Sequence, residues 1–389
     1  PGGGNLAGTT TVSAVAGVAT FHDLKIDKPG DGYTIVASAT GFSNVTSNSF
    51  NVLCVITKLV FTTSAQTLTA GDISAIMTIQ TQDDTNTPVN VSCDIDVDLT
   101  SNSTGTYKFY SDAGGTTEIT YVTITAGTNT ASFYYMDQKA GTPTVTASEN
   151  PTHGWTPATQ QQTINVGAAA KLLWVTAPAS PVSADDTWTA FSVEITDQYG
   201  NRRTGDTTNI TITEDGSSSF GGTTTQAAVS GVATFNDITY TKAETINVRG
   251  TAAGLTPTSD ASVTIDPAAA ASMAFTQQPV NITAGTNMAD VKVTLYDAYG
   301  NICTNDSSTS ISLVKNSGPG ALTIVSPQTA SSGVATFSNI TGTTTGTYDL
   351  KASGVGSDVV SSTFDITAAA AASMAFTQQP VNITAGTNM

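Results

Sequence analysis

Basic residues are scarce in this chain of 389: Lys and Arg number 13 against 30 Asp and Glu, giving a formal net charge of −17. So few cations cannot neutralise a run of phosphates, which excludes nucleic acid as an expected partner. Charge of either sign is thin, at 11% of residues, and aromatics make up only 7%. Histidine is limited to His22 and His153. Three cysteines, Cys54, Cys93 and Cys303, cannot all pair within one chain, and their spacing fits neither a zinc ribbon nor a redox C-x-x-C. Disulfides are therefore not the expected source of stability. Long apolar runs are also missing, the lowest-polarity stretch, Ala368 to Ala372, being merely small, so this segment holds no expected membrane span. No G-x-S-x-G elbow, phosphate-cradling glycine loop or His pair at helical spacing occurs. The expectation is a non-enzymatic chain with no catalytic and no cofactor-binding residues.

What the chain does have is threonine and serine in abundance, 34 Gly, 14 Pro and 39% hydrophobic residues. That mixture favours short strands and turns while still permitting packed cores, and it is unlike a disordered acidic chain. Scarce lysine, abundant threonine and scarce cysteine together point to a location outside a prokaryotic cell, on its surface or beyond.

A repeat organises the whole sequence. The segment LVFTTSAQTLTAG with Phe61 returns as LLWVTAPASPVSA with Trp174 and as MAFTQQPVNITAG with Phe275 and Phe376, at offsets of 113, 101 and 101. A second marker, GVATF, ends at Phe21, Phe235 and Phe337, with TASFYY around Phe133 in the gap, at offsets of 112, 102 and 102. Two independent markers thus give one unit of about a hundred residues. The copies read as 1–53 (a C-terminal part), 54–167 (with an insertion), 168–269, 270–368, and 369–389, the first strand of a further domain. Residues 369–389 match residues 268–288 letter for letter. Pro1 aligns with about Ser317, so the first copy is expected to lack its opening strands, and the chain reads as a window on a longer array. Whether the terminal strand completes a neighbouring chain by strand addition stays open.

Within residues 270–368 the apolar residues alternate with polar ones. Val291, Val293 and Leu295 share one face, as do Ile311 with Leu313, Ala335 with Phe337, Tyr348 with Leu350 and Ala352, and Phe364 with Ile366. Alternating strands over about a hundred residues, with no amphipathic helix, predict a two-sheet antiparallel β-sandwich. The expected fold class is all-β, antiparallel β-sandwich domains in tandem in a linear array. Phe21, Phe133, Phe235 and Phe337 are the expected core anchors, each worth about 1.5 to 3 kcal/mol of burial. Trp174 stands in the place of Phe61 and Phe275 and is expected in the core. The sequences DQYGN (197–201) and DAYGN (297–301) predict tight strand reversals. The linkers GAAAKL (167–172), DPAAAASM (266–273) and TAAAAASM (367–374) are short and restrict the angle between neighbours.

The order of strand, D-x-Y-G-N turn, Thr-rich strand pair, GVATF and an extended segment such as GTYDLKASG (346–354) resembles the bacterial immunoglobulin-like repeats of invasin and intimin type surface proteins. The resemblance covers nearly the whole chain and is weakest in 54–167, where TQDDTNTPV replaces the D-x-Y-G-N turn. It implies rigid spacers in adhesins, stalks and surface fibres, and it brings no catalytic residues.

The acidic run CDIDVDL places Asp94, Asp96 and Asp98 on one strand face with Ile95 and Val97 on the other, the weak calcium candidate, to be weighed against a solvated sheet face. Asp83 with Asp84, and Asp185 with Asp186 near a domain junction, are lesser candidates. Trp155 and Trp188 lack counterparts in other copies and are candidates for exposed contacts with a glycan or protein receptor. Asn-x-Ser/Thr sequons, Asn44, Asn209, Asn281 and Asn339 among them, are as frequent as this composition gives by chance. Three functional readings follow: a structural stalk, fibre or filament whose partners are neighbouring repeats of the same protein, an adhesin acting through exposed loops, and the spacer of a larger secreted enzyme.

Overall fold

The computed structural model describes residues 4–26, 30–52 and 55–388. Among these there is no helix, and the chain is all-β. It divides into two compact units, Pro1–Ala169 with Thr196–Arg202, and Ala170–Ile195 with Arg203–Met389.

In the second unit, residues 270–368 form a sandwich. One sheet has the order Ser272–Gln277, Val291–Tyr296, Val334–Phe337. The other runs Ile282–Thr283, Phe364–Thr367, Gly346–Ser353, Ser310–Ser317, Gln328–Thr329. All pairings are antiparallel save that of Ile282–Thr283 with Phe364–Thr367, which is parallel. The strands alternate because one face meets the other sheet: Val291, Val293, Leu295, Ile311, Leu313, Ala335, Phe337, Tyr348, Leu350, Ala352, Phe364 and Ile366 all lie in one buried cluster. Residues 168–269 repeat the two sheet orders strand for strand, with Phe191 opposite Phe235 where Val291 faces Phe337.

In the first unit, residues 54–167 build a separate core that runs from Leu59 to Ile164. The extra residues of this copy lie between Ser101 and Tyr121, where Glu118–Ile119 adds a strand beside Tyr107–Tyr110, which pairs with Thr130–Asp137 as Leu322–Thr323 pairs with Thr341–Gly342. Among the described residues of 4–52 there are only short ladders, such as Gly30–Tyr33 with Phe50–Val52.

That difference corrects one expected anchor. Phe133, Phe235 and Phe337 are fully buried, but Phe21 is 41% exposed. Burial of this phenylalanine needs a facing sheet and a paired neighbour strand, and among the described residues of 4–52 neither covers it. The GVATF glycine does more than release a loop into a strand. Ser230 (φ 52) with Gly231 (φ 75), and Ser332 (φ 49) with Gly333 (φ 78), form two-residue turns with both central residues left-handed, and Val229 and Val232 exchange backbone hydrogen bonds across the first. Those are the angles of a type I′ hairpin.

Candidate functional site: the D-x-Y-G-N turns

The Asp297–Asn301 turn is built around one carboxylate. Asp297 Oδ1 accepts hydrogen bonds from the N–H groups of Tyr299 (2.9 Å) and Asn301 (2.8 Å), and Asp297 N–H donates to the Asn301 carbonyl (3.0 Å). Gly300 takes φ 82, the left-handed value the reversal needs. A bare tight turn would leave its side chains in water, yet Asp297 and Asn301 are both buried. The second carboxylate oxygen of Asp297 accepts from the Ala268 N–H (3.0 Å) and from Asn301 Nδ2 (2.8 Å). Asn301 spans the preceding repeat: its Nδ2 donates to the Thr241 carbonyl (2.8 Å) and its Oδ1 accepts from the Ala243 N–H (3.0 Å). A side-chain amide placed this way mimics a peptide group laid against an exposed backbone strip. The Tyr299 hydroxyl donates to Asp185 Oδ2 of that same repeat. The turn therefore joins residues 270–368 to residues 168–269, within the second unit.

The Asp197–Asn201 turn, within the first unit, repeats this atom for atom. Asp197 Oδ1 accepts from Tyr199 and Asn201 N–H (both 2.9 Å), and its Oδ2 accepts from Gly167 N–H (3.0 Å) and Asn201 Nδ2 (2.8 Å). Asn201 Nδ2 donates to the Gln138 carbonyl (2.7 Å), and its Oδ1 accepts from Ala140 N–H (3.0 Å). Tyr199 sits over Gly71, close enough that a Cβ there would lie 2.1 Å from the phenol oxygen. Gly71 (φ 86) and Asp185 (φ 66) are equivalent left-handed positions.

Burial by itself would raise the Asp197 and Asp297 carboxyls, but the Asn side chains and the converging N–H groups of Asn, linker and Tyr more than offset it and hold both below the ordinary carboxylate value. The Tyr299 phenol is raised by its hydrogen bond to Asp185. Both aspartates are thus anionic acceptors over the whole neutral range.

In residues 54–167 the loop geometry that the sequence left open is the same. Asp83 Oδ1 accepts from Thr85 N–H (2.9 Å) and Thr87 N–H (2.8 Å), Asp83 N–H donates to the Thr87 carbonyl (3.0 Å), and Asn86 takes φ 68 where the other turns have glycine. Thr85 and Thr87 occupy the Tyr and Asn places, so this turn has neither the ring nor the bridging amide. Asp83 is the organiser of a turn, and Asp185 is a tyrosine's acceptor.

The acidic strand matches its expected pattern, with Ile95 and Val97 buried and Asp94 and Asp96 exposed. The three carboxylates do not converge on a common point. Asp94 accepts from Ala126 N–H (2.8 Å), Asp96 from Thr123 Oγ1 (2.6 Å) and Asp98 from Asn150 Nδ2 (3.0 Å). Among the described residues no group of three His, Cys, Asp or Glu side chains could hold a metal ion.

Trp188 corrects another expectation. It is 3% exposed, packed edge-on to Phe220 (5.5 Å) and beside Phe191 (6.1 Å). Its backbone N–H donates to the Ile238 carbonyl as the Met288 backbone N–H donates to that of Ile340, so an apolar counterpart exists that the letters alone conceal. Trp155 is half-buried against the core of its own repeat with His153 stacked on it (5.4 Å). Trp174 is half-buried, as are Phe61 and Phe275, and its Nε1 donates to the Ser259 carbonyl (2.9 Å), whereas Phe376 is exposed. Cys93 is exposed and Cys303 buried; Cys54 lies outside the described residues.

Two sandwiches with the same strand order, each covering one core, place the architecture. The chain has the fold of tandem immunoglobulin-like domains. Among solved structures it is similar to the Escherichia coli adhesin FdeC, at 16% identity and a TM-score of 0.35 over 80% of this chain and 96% of that one. It is similar to domains 1–6 of the surface layer protein SbsC, at 15% identity and a TM-score of 0.30 over 90% of this chain and 46% of that one. Invasin, described as a bacterial integrin-binding protein, matches at 14% identity and a TM-score of 0.34 over 80% of this chain and 60% of that one. Likeness at this level assigns no role and no partner. No protein-family model matches the chain, and no curated protein matches it.

Proposed function

We propose that the chain is a non-enzymatic structural part of a prokaryotic cell surface, its immunoglobulin-like repeats forming a stalk, fibre or filament whose reach is set by repetition. The observation that carries this is the joint itself. Buried polar side chains, the costliest residues to place, are spent on fixing one repeat against the next within the second unit, through Asp297 and Asn301. A chain whose role lay in a pocket would concentrate such groups there instead. Electron microscopy of the purified chain, as wild type and as the double variant Asn201→Ala, Asn301→Ala, tests the reading. Wild-type particles are expected to have one narrow end-to-end distance and the variant a broad one. A wild type already as broad as the variant would overturn it.

A second reading, an adhesin, is favoured by one feature. The insertion in residues 54–167 ends at the exposed Tyr121, beside a shallow open hollow lined by Glu118, Ile119, Thr120 and Tyr121. A glycan or protein receptor held there would lose affinity on Tyr121→Ala, and binding unchanged by that substitution would remove this hollow from consideration.

A further inference from the structure

The surface on which Asn301 and its neighbours rest has three parts: the left-handed residue Asp185, the backbone of Thr241 and Ala243, and the linker N–H of Ala268. Backbone hydrogen bonds locate the same three parts in residues 270–368. The Asp185 N–H donates to the Tyr240 carbonyl as that of Gly285 does to Gly342, so Thr343–Thr345 follow Gly342 as Thr241–Ala243 follow Tyr240. Ala369 begins the stretch that repeats residues 268–288, and so corresponds to Ala268. Gly285 has φ 83, with nothing within 4 Å of the position a Cβ would take. Thr343, Thr344 and Thr345 are exposed, and among the described residues no group bonds the Thr343 carbonyl or the N–H groups of Thr345 and Ala369.

We infer that this surface is a socket for the D-x-Y-G-N turn of one further repeat of the same kind. The asparagine amide of that turn bridges the Thr343 carbonyl and the Thr345 N–H, its aspartate accepts from Ala369 N–H, and its tyrosine lies over Gly285 as Tyr199 lies over Gly71. Two observations select this occupant over any other. The same backbone geometry is filled by such a turn at Gln138–Ala140 and at Thr241–Ala243. The segment after the socket is the opening of residues 268–288 over again, and in the first instance that opening leads to DAYGN. The inference holds whether the array serves as a stalk or as an adhesin.

The test compares amide hydrogen exchange in the 389-residue chain with that in the same chain extended after Met389 by a second copy of residues 289–368. The Thr345 N–H is expected to exchange at least about tenfold more slowly in the extended chain, approaching Ala243. Replacing the added copy's counterpart of Asn301 by Ala should return Thr345 to its fast rate while the added strands stay protected. Equal exchange at Thr345 in both chains, with the added strands protected, overturns the inference. A second measurement needs no added copy: Asn301→Ala in the original chain should accelerate exchange at Ala243, and an unchanged Ala243 rate overturns the inference equally. The length distribution that tests the stalk reading is a separate observable, so either idea can fail alone.

Discussion

Phe337 and Phe21 carry the same letters in the same marker and should respond differently to removal. Phe337 is fully enclosed, and Phe337→Ala is expected to destabilise its repeat by about 3–5 kcal/mol, lost transfer energy plus a cavity. Phe21→Ala should stay within about 0.5 kcal/mol, as expected of a surface site. Denaturant titration of both variants distinguishes them, and comparable losses would contradict the observed burial. The cysteines divide the same way. Burial, with Asp297 and Asp306 nearby, pushes the Cys303 thiol up and away from the reactive thiolate. Alkylation in native buffer should therefore label Cys93 and spare Cys303 until denaturant is added, and rapid native labelling of Cys303 would refute its enclosure. The identities of both core phenylalanines and strand faces were legible as a two-residue period. The fate of Phe21 was not, because burial belongs to the partner sheet and not to the marker.

At the scale of the turn, Asn301→Ala removes two hydrogen bonds to the preceding repeat and leaves the Thr241 carbonyl and Ala243 N–H without partners. At about 0.5–1.5 kcal/mol for each bond, the joint should weaken by about 1–3 kcal/mol, read as a loss of coupling between the repeats' unfolding transitions. Gly71→Ala should disturb the Asp197–Asn201 turn within the first unit, since its new methyl would collide with the Tyr199 phenol at a left-handed position. Lower fluorescence anisotropy at Tyr199 would register that displacement, and unchanged anisotropy would count against it. The aspartates add a pH dependence. Their folded carboxyls titrate below the ordinary value of 3.8, so their contribution is complete above pH 3.8 and is lost as pH falls through the lower folded value. Joint coupling should accordingly be flat from pH 5 to 8 and fall only in acid; a midpoint near neutrality would assign it to other groups. DQYGN and DAYGN announced a reversal in the sequence because Asp, Gly and Asn each have a local reason to be there. Their second role was hidden: the partners of Asn301 are backbone atoms about sixty residues earlier, and no side-chain letter marks a free carbonyl.

For the whole molecule, stability should be divisible. The clusters running from Leu59 to Ile164 and from Met273 to Ile366 share no residue, so calorimetry should resolve more than one transition. Phe337→Ala should shift one of them and leave another in place, and a single transition that moves as a block would show the repeats to be one cooperative body. The period of about a hundred residues was legible because duplication preserved the letters on both sides of each linker. Trp188 was misread for the converse reason: Met288 replaces it, and two unlike apolar side chains fill one core position without leaving a shared letter.

The turn and the surface that receives it are different patches of a repeat, Asp297–Asn301 on the one hand and Gly285 with Thr343–Thr345 on the other. Such a contact is heterologous, and head-to-tail addition leaves the same unfilled patch at the growing end each time. It gives the array a sense of direction, like a polar filament, and it excludes symmetric pairing of two like ends through this contact.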